Sequence, residues 1–149
     1  MAELYFDDFK VGDTIASSGM TVTESQIIDF AMRYDFQPFH TDVEAAKESI
    51  FGGLVASGIH TIAVTFRLLL MTGLLKHNLG SPGFDELRWL KPVHPGDTLS
   101  AVAEVLECKP SKKHKDRGTI RFRYSTYNQN DEKVFTVIGS QILRRLQIN

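Results

Sequence analysis

The sequence predicts an α+β fold in which one long central helix is wrapped by a curved antiparallel β-sheet. An apolar segment from Ile59 to Leu75 repeats at helical intervals and is hydrophobic on nearly every face, so other structure must cover it. The chain from Phe84 onward contains four consecutive strand patterns with no helix between them, which requires antiparallel pairing. Residues 1–149 contain no linker or internal repeat and are therefore predicted to form a single domain.

The composition is that of an ordinary globular chain and excludes several functional classes. The 149 residues are 42% hydrophobic, and a net charge of -1 leaves no basic field for binding nucleic acid. The single Cys108 and the absence of zinc-ligand spacing predict a reducing compartment and a site without metal. The N-terminus lacks the pattern of a secretion signal, and the longest apolar stretch is too interrupted to span a membrane. We therefore expect a cytoplasmic protein with neither nucleic acid nor membrane as a partner.

The first helix is predicted to begin at Thr23, after a short extended segment over residues 14–22. Gln26 lies three residues after Thr23, which is the spacing of a capping box. The apolar residues that recur at helical intervals are Ile27, Phe30, Ala31 and Tyr34. We expect this stripe, including Tyr34, to face the core.

This helix leads into a short loop that contains a carboxylate and an imidazole. Asp35 and His40 lie five residues apart, and Pro38 between them fixes its own backbone and disfavours helix at Gln37. A carboxylate can take a proton from water, and an imidazole can hold or return one near neutral pH. If both side chains face one cavity, they can activate water there. The alternative is an ordinary connection in which Asp35 caps a backbone amide and His40 is solvated.

Further helices are predicted on the far side of this loop. One begins at Thr41, with Glu44 three residues later in a second capping-box spacing, and ends before Phe51. Gly58 then opens the long apolar helix, which the spacing extends over roughly five turns. The glycines and proline of residues 78–83 are predicted to stop it. The candidate acid–base pair therefore lies between two capped helices.

The second half of the chain is predicted to consist of strands. Alternating β-branched and aromatic residues mark the segments 84–90, 98–109, 119–127 and 134–146. Gly139 interrupts the last segment and predicts either a bulge or a close approach of another group to the backbone. The connection from Lys109 to Arg117 holds the only dense basic cluster of the sequence.

Five segments together resemble one known family. They are Asp35-Phe36-Gln37-Pro38-Phe39-His40, Phe51-Gly52-Gly53, Ser57-Gly58, Arg88-Trp89-Leu90-Lys91-Pro92-Val93 and Pro95-Gly96-Asp97-Thr98-Leu99. Over residues 25–144 the chain resembles the MaoC-like (R)-specific enoyl-CoA hydratases and acyl dehydratases, whose Asp-x-Asn-Pro-x-His signature falls on Asp35 and His40. The resemblance implies the hot-dog fold, a long helix held in a curved antiparallel sheet, which agrees with the periodicity.

The resemblance also implies a reaction, the reversible addition of water to a trans-2-enoyl-CoA to give an (R)-3-hydroxyacyl-CoA. Asp35 would take a proton from water, and His40 would hold that water and help supply the proton at the α-carbon. The backbone amide of Gly58, at the start of the long helix, would stabilise the enolate-like thioester oxygen. The resemblance implies no metal and no cofactor. Coenzyme A enters the reaction as part of the substrate.

Three positions depart from the family pattern, and the first is Tyr34, which stands where a glycine often precedes the aspartate. Gln37 stands where the signature has asparagine, and Ser57 stands where a histidine often precedes the helix glycine. We retain Gln37 and Ser57 as candidate substrate-binding residues beside Gly58, and the departures leave the acyl-chain preference open.

Three functions remain open from the sequence. The chain is predicted to be a hydratase or dehydratase of acyl-CoA thioesters, with a hot-dog thioesterase and a non-catalytic acyl-CoA-binding module as alternatives. The basic segment 109–117 is either a solvated hairpin tip or a contact for the phosphates of coenzyme A. Because a single hot-dog unit leaves a long sheet edge uncovered, we expect at least a homodimer.

Overall fold

A computed structural model describes residues 3–146, and within them it contains six strands and four α-helices. The strands are β1 (Thr14–Ala16), β2 (Met20–Thr21), β3 (Asn78–Trp89), β4 (Thr98–Pro110), β5 (Arg117–Tyr127) and β6 (Lys133–Arg144). The helices are α1 (Glu24–Tyr34), α2 (Pro38–Thr41), α3 (Val43–Lys47) and α4 (Gly58–Leu70). None of the helices in this part of the chain is long and apolar enough to cross a membrane.

The strands form one antiparallel sheet in the order β1-β4-β5-β6-β3, and β2 pairs with the beginning of β4. Helix α4 packs across β4 and β5, and its buried residues Val64, Leu68 and Leu69 join the core beneath it. On the sheet side the core is filled by Phe122, Tyr124 and other inward-facing residues of the central strands. The predicted α+β architecture, with one main helix against an antiparallel sheet, is confirmed.

Helix α4 is shorter than the sequence predicts. It ends at Leu70 instead of continuing to Leu75, and tight turns follow in which Gly73 adopts a φ of 84°. That left-handed conformation suits glycine and cannot continue a right-handed helix. Leu74 and Leu75 are nevertheless buried, which explains why the apolar pattern runs past the helix end. The sequence also predicted that other structure covers this helix on nearly every face. In the single chain that prediction is wrong at Leu70, which remains half exposed.

Residues 78–83 were predicted to be a loop and instead form the first half of β3. They pair with the end of β6, with register shifts between Asn78 and Gly80 and between Gly80 and Gly83. Pro82 is tolerated because β3 is an edge strand and is irregular at this point. The turn-like composition therefore marks bulges in a long edge strand rather than a break between elements.

The predicted cap at Thr41 is wrong by one residue. Thr41 ends the one-turn helix α2, and its hydroxyl donates to the carbonyl of Gln37 at 3.0 Å. Asp42 caps α3 instead, because its Oδ1 accepts from the backbone N–H of Ala45 at 3.0 Å. At the earlier helix the prediction is confirmed, since Thr23 and Gln26 form the reciprocal capping box that begins α1.

Tyr34 does not join the core, although the helical stripe predicts that it does. The buried face of α1 consists of Ile27 and Ala31, whereas the side chain of Tyr34 is 70% exposed. Tyr34 is the last residue of the helix, and its ring lies against Phe30 with a centroid separation of 5.2 Å. The chain turns away at this point, so the final position of the stripe has no core to face.

Gly139 marks a close approach rather than a bulge. The ladder between β5 and β6 is regular on both sides of it. A Cβ atom at this position would lie 2.9 Å from Cε2 of Tyr124, which real Cβ contacts essentially never reach. Glycine is therefore needed because the ring of Tyr124 lies over the backbone of β6.

Candidate active site

A pocket of about 430 Å³ opens beside the N-terminal end of α4. Its wall is built from α2 and the loop before it, from the segment that leads into α4, and from the end of β3. Its lining includes Asp35, Gln37, His40, Gly58, Trp89 and Lys91. The structure thus brings four of the five predicted site residues into one pocket lining, and the fifth, Ser57, lies directly behind it.

The two titratable residues of the loop face each other in this pocket. His40 Nε2 lies 3.5 Å from Asp35 Oδ2, and the imidazole is almost fully buried. His40 Nδ1 lies 2.6 Å from the carbonyl oxygen of Val55, which can only accept a hydrogen bond. Nδ1 therefore carries a proton, and in the neutral ring Nε2 presents its lone pair towards Asp35. A water molecule between these two acceptors can donate to both.

Local backbone structure places this pair. Asp35 is the C-cap residue that follows α1, and its N–H still donates to the carbonyl of Ala31 at 3.0 Å. Pro38 then begins α2, the single helical turn that directs His40 inward. The alternative of an ordinary connection is contradicted, because His40 is buried and the Asp35 carboxylate accepts from side chains instead of backbone amides.

Two side chains hold the carboxylate of Asp35. Ser57 Oγ donates to Oδ2 at 2.6 Å, and Gln37 Nε2 donates to Oδ1 at 2.5 Å. The hydrogen bond from Ser57 is the main cause that lowers the pKa of Asp35 below its ordinary value, and Gln37 and the nearby His40 lower it further. Partial burial opposes these effects without cancelling them. The carboxylate is therefore ionised at neutral pH and available as a base.

Ser57 links the carboxylate to the start of α4. Its side chain is fully buried, caps the helix by accepting from the N–H of Ile59 at 3.1 Å, and donates its own proton to Asp35. The sequence reading assigned Ser57 to substrate binding, but the residue has no exposed surface in the pocket. Its contact is with Asp35, a connection across 22 residues of sequence for which no local pattern gives a signal.

Gly58 is the first residue of α4 and lies on the pocket wall. The N–H groups of a first helical turn have no acceptor within the helix. Among the described residues we find no acceptor for the N–H of Gly58. The positive end of the helix dipole adds a favourable field for negative charge at the same place. This position can therefore offer one backbone donor to an anionic oxygen in the pocket.

Trp89 is a site residue that the sequence analysis did not single out. Its Nε1 donates to the carbonyl oxygen of Gly58 at 3.0 Å. A Cβ atom on Gly58 would lie 2.7 Å from Cζ2 of the indole and closer still to Nε1 and Cε2. Glycine is therefore needed at position 58 to leave room for the indole. The sequence signal that could have indicated a bulky neighbour is the glycine at the first position of an apolar helix.

Two further predictions concern groups around the site. Among residues 3–146, no cluster of three or more His, Cys, Asp or Glu side chains is placed to hold a metal ion, and the absence of a cofactor stays a prediction.

The basic segment 109–117 lies at the other end of the sheet from the pocket, because Trp89 pairs with the start of β6 and Arg117 with its end. These ends are roughly 30 Å apart at about 3.3 Å per residue. Within one chain the segment is thus a distant hairpin tip.

A curved antiparallel sheet packed on one helix, with a carboxylate and an imidazole facing each other near the N-terminus of that helix, defines a hot-dog fold protein with a polar site. The chain belongs to the family described as the MaoC like domain, whose model matches residues 9–126. The predicted fold and family are therefore confirmed.

Individual relatives agree with this assignment. The crystal structure of a MaoC-like dehydratase from Rhodospirillum rubrum superposes with a TM-score of 0.91 at 40% identity, covering 97% of this chain and 99% of that one. An uncharacterized protein of Bacillus subtilis is 33% identical over 140 residues, which are 93% of this chain and 98% of the relative. The (R)-specific enoyl-CoA hydratase of Rhodospirillum rubrum is 32% identical over 114 residues, 73% of this chain and 74% of the relative. The family is thus one of hydratases and dehydratases.

Proposed function

We propose that this protein adds water to trans-2-enoyl-CoA thioesters to give (R)-3-hydroxyacyl-CoA, and that it catalyses the reverse dehydration. The observation that carries the proposal is the 3.5 Å approach of His40 Nε2 to the Asp35 carboxylate in a pocket that is also lined by Gly58, whose N–H has no acceptor among residues 3–146. The relative named (R)-specific enoyl-CoA hydratase supports the same reaction class.

The acid–base pair supplies the proton transfers. A water molecule held between Asp35 Oδ2 and His40 Nε2 directs its oxygen lone pair into the pocket, towards C3 of the enoyl group. As that oxygen adds to C3, one proton passes from water to the Asp35 carboxylate. The pair returns a proton to C2 on the same face, so both residues end in their starting states. The fixed Nδ1–H of His40 leaves Nε2 as the only ring atom that takes part.

The backbone at the start of α4 stabilises the charge that develops during this step. Addition at C3 moves negative charge to the thioester oxygen, and the N–H of Gly58 donates to it. One such preorganised donor contributes about 3–4 kcal/mol to lowering a barrier. The helix terminus adds a smaller term of the same sign.

The direct test is loss of the enoyl-thioester absorbance on a panel of trans-2-enoyl-CoA substrates, with free thiol monitored in the same reactions. Turnover without thiol release supports hydration, and chiral analysis of the product tests the (R) configuration. Thiol release would assign the protein to the thioesterases instead. Saturable binding of every substrate with no reaction would indicate a non-catalytic acyl-CoA-binding module.

Replacing Ser57 by Ala is expected to move the acidic limb of the kcat/KM profile to higher pH. The base must be ionised, and the Ser57 hydrogen bond is the main cause of the lowered pKa of Asp35. Loss of this bond raises that pKa, so activity fails at a higher pH as the solution is acidified. The loss of the helix cap also costs about 1 kcal/mol of stability. The profile is measured from pH 4 to 9 with an enoyl-CoA substrate.

Two companion variants make this result specific. Gln37→Ala removes the other donor to Asp35 without touching the cap, and should shift the limb in the same direction by less, because Gln37 is exposed. Ser111→Ala removes a hydroxyl that accepts from the N–H of His114 in the segment 109–117, at the other end of the sheet from the pocket, and should leave the profile unchanged. An unchanged acidic limb in Ser57→Ala would contradict the role assigned to Asp35.

We further propose that the protein is a homodimer formed along the free edge of β3. In the part of the chain that the structure describes, this strand pairs on one side only, with β6, and leaves exposed apolar side chains at Leu79, Phe84 and Trp89. Long unpaired edges of this kind are covered in natural proteins. Pairing of β3 with its copy would join two sheets into one.

Solution mass should therefore be twice the 16.8 kDa of the chain. Phe84→Lys, which places a charge on the β3 edge, is expected to give the monomer in light scattering at micromolar concentration. Ile50→Lys is the matched control, since Ile50 is 97% exposed and lies outside β3. A monomeric wild type, or a dimer that Phe84→Lys leaves intact, would argue against this interface.

A further inference from the structure

We propose that Trp89 is the specificity-determining residue of the pocket, and that its indole restricts the substrate to short acyl groups such as the four-carbon enoyl thioester. The inference rests on the proposed hydratase function and adds a substrate class to it. Three observations on Trp89 support it: the contacts that hold its ring, the elements between which the ring lies, and the volume of the pocket beside it.

The position of the indole is set both by the sheet and by the start of α4. Trp89 is the last residue of β3, so the sheet fixes its backbone. Its Nε1 donates to the carbonyl oxygen of Gly58 at 3.0 Å, and the missing side chain at Gly58 gives the ring its place against the first turn of α4. Trp89 is 51% exposed in the single chain, but the strand, the hydrogen bond and the fit against Gly58 together fix the position of its ring on the pocket wall.

The indole lies on the path that we expect the acyl chain to take. On its other side, the ring of Trp89 lies 6.4 Å from the ring of Phe135, its partner across the ladder between β3 and β6. Phe135 is fully buried in the core. The indole therefore lies between the start of α4 and the sheet, next to the N–H of Gly58 that is proposed to bind the thioester oxygen. A chain extending from that thioester meets the indole.

The remaining space is small and bounded by other rings. A volume of about 430 Å³ is near the lower end of the roughly 300–1,000 Å³ found for small-molecule pockets. The end of the pantetheine arm must occupy part of it. Phe39 and Phe51, whose ring centroids are 5.4 Å apart, form another part of the lining. We therefore expect a short acyl group to be favoured beside the acid–base pair while Trp89 is in place.

The first test compares kcat/KM for trans-2-enoyl-CoA substrates of four, six, eight and ten carbons. The wild type is expected to prefer four carbons. Trp89→Ala is expected to raise the ratio of eight-carbon to four-carbon activity by at least about tenfold, because a hydrophobic pocket discriminates by about 10–200-fold per methylene. Trp89→Phe is the matched control, since it loses the hydrogen bond to Gly58 but keeps a ring, and it should retain the short-chain preference.

The second test does not depend on turnover. Trp89 is the single tryptophan of the chain, so fluorescence excited in tryptophan and not in the four tyrosines reports on this position alone. In the Asp35→Asn variant, titration with four-carbon enoyl-CoA is expected to change the fluorescence saturably, at a lower concentration than the eight-carbon thioester requires. Calorimetry on the same samples shows whether binding occurs. Binding without any change in fluorescence would overturn the placement of Trp89 beside the acyl group.

The outcomes separate this inference from the function on which it rests. A wild type that hydrates no enoyl-CoA refutes the proposed function, whereas the fluorescence titration still tests the position of Trp89. A wild type that prefers eight carbons, or a Trp89→Ala ratio within twofold of the wild type, overturns the inference and leaves the hydratase function intact. If Trp89→Ala fails to fold by circular dichroism, Trp89→Leu replaces it and is expected to shift the ratio in the same direction by less.

Discussion

The substitution Asp35→Asn is expected to lower kcat for hydration by about 10²–10⁴-fold, the usual contribution of a positioned general base. Asparagine is nearly the same size and can keep its contacts with Ser57 and Gln37 once the side-chain amides reorient. It cannot take a proton from water. KM should therefore change little, so the loss is expected almost entirely in kcat.

Asp29→Asn is the matched control for this experiment. Asp29 lies on α1, the helix that ends just before Asp35, but it is exposed and pairs with Arg33 at 3.5 Å, away from the pocket. Its replacement should leave kcat within twofold of the wild type. An Asp35→Asn enzyme that keeps more than a tenth of wild-type kcat would contradict the assignment of Asp35 as the base.

The second large effect is expected from Gly58→Ala, which should lower kcat by about 10²–10³-fold, as loss of an oxyanion donor does. The added Cβ collides with the indole of Trp89, so either the ring or the first turn of α4 must move. Because a donor acts through its exact position, this movement takes the N–H of Gly58 out of line with the thioester oxygen. Overpacking of this kind also destabilises a protein by about 1–3 kcal/mol.

Two variants separate the collision from a general effect of alanine. Gly53→Ala adds a Cβ where no atom lies within 4 Å, so it should change neither kcat nor stability. The double variant Gly58→Ala/Trp89→Ala removes the colliding ring and should recover the thermal stability that Gly58→Ala loses. Full activity in Gly58→Ala, or no recovery of stability in the double variant, would show that contact with Trp89 is not the reason for the glycine.

Local signals account for the parts of the structure that the sequence predicted well. The capping box joins Thr23 and Gln26, which are three residues apart. The turn at Pro38 depends on the backbone angle that the proline ring fixes. The strand alternation from 98 to 144 reports burial on one face of each strand. These features depend on residues that are neighbours in the chain. The antiparallel α+β fold follows from their order.

Predictions failed where an apolar pattern concealed the end of a helix, where tertiary contacts outweighed a local preference, and where a stripe ran past the core. The end of α4 at Leu70 depends on the left-handed backbone of Gly73, which an apolar pattern running on to Leu75 conceals. The segment 78–83 has the composition of a loop but becomes a strand because β6 offers it partners. Tyr34 continues an apolar stripe but lies beyond the edge of the core.

The sequence by itself determined the fold class, the family and the loop that contains Asp35 and His40, because short-range spacing and a contiguous motif encode them. Only the tertiary structure decided how the pocket is assembled. Ser57 reaches Asp35 across 22 residues, and Trp89 reaches Gly58 across 31. Such contacts form when the start of α4, the end of α1 and the end of β3 converge. Side-chain partners brought together in this way leave no periodicity in the chain, since they follow from packing of elements rather than from their order.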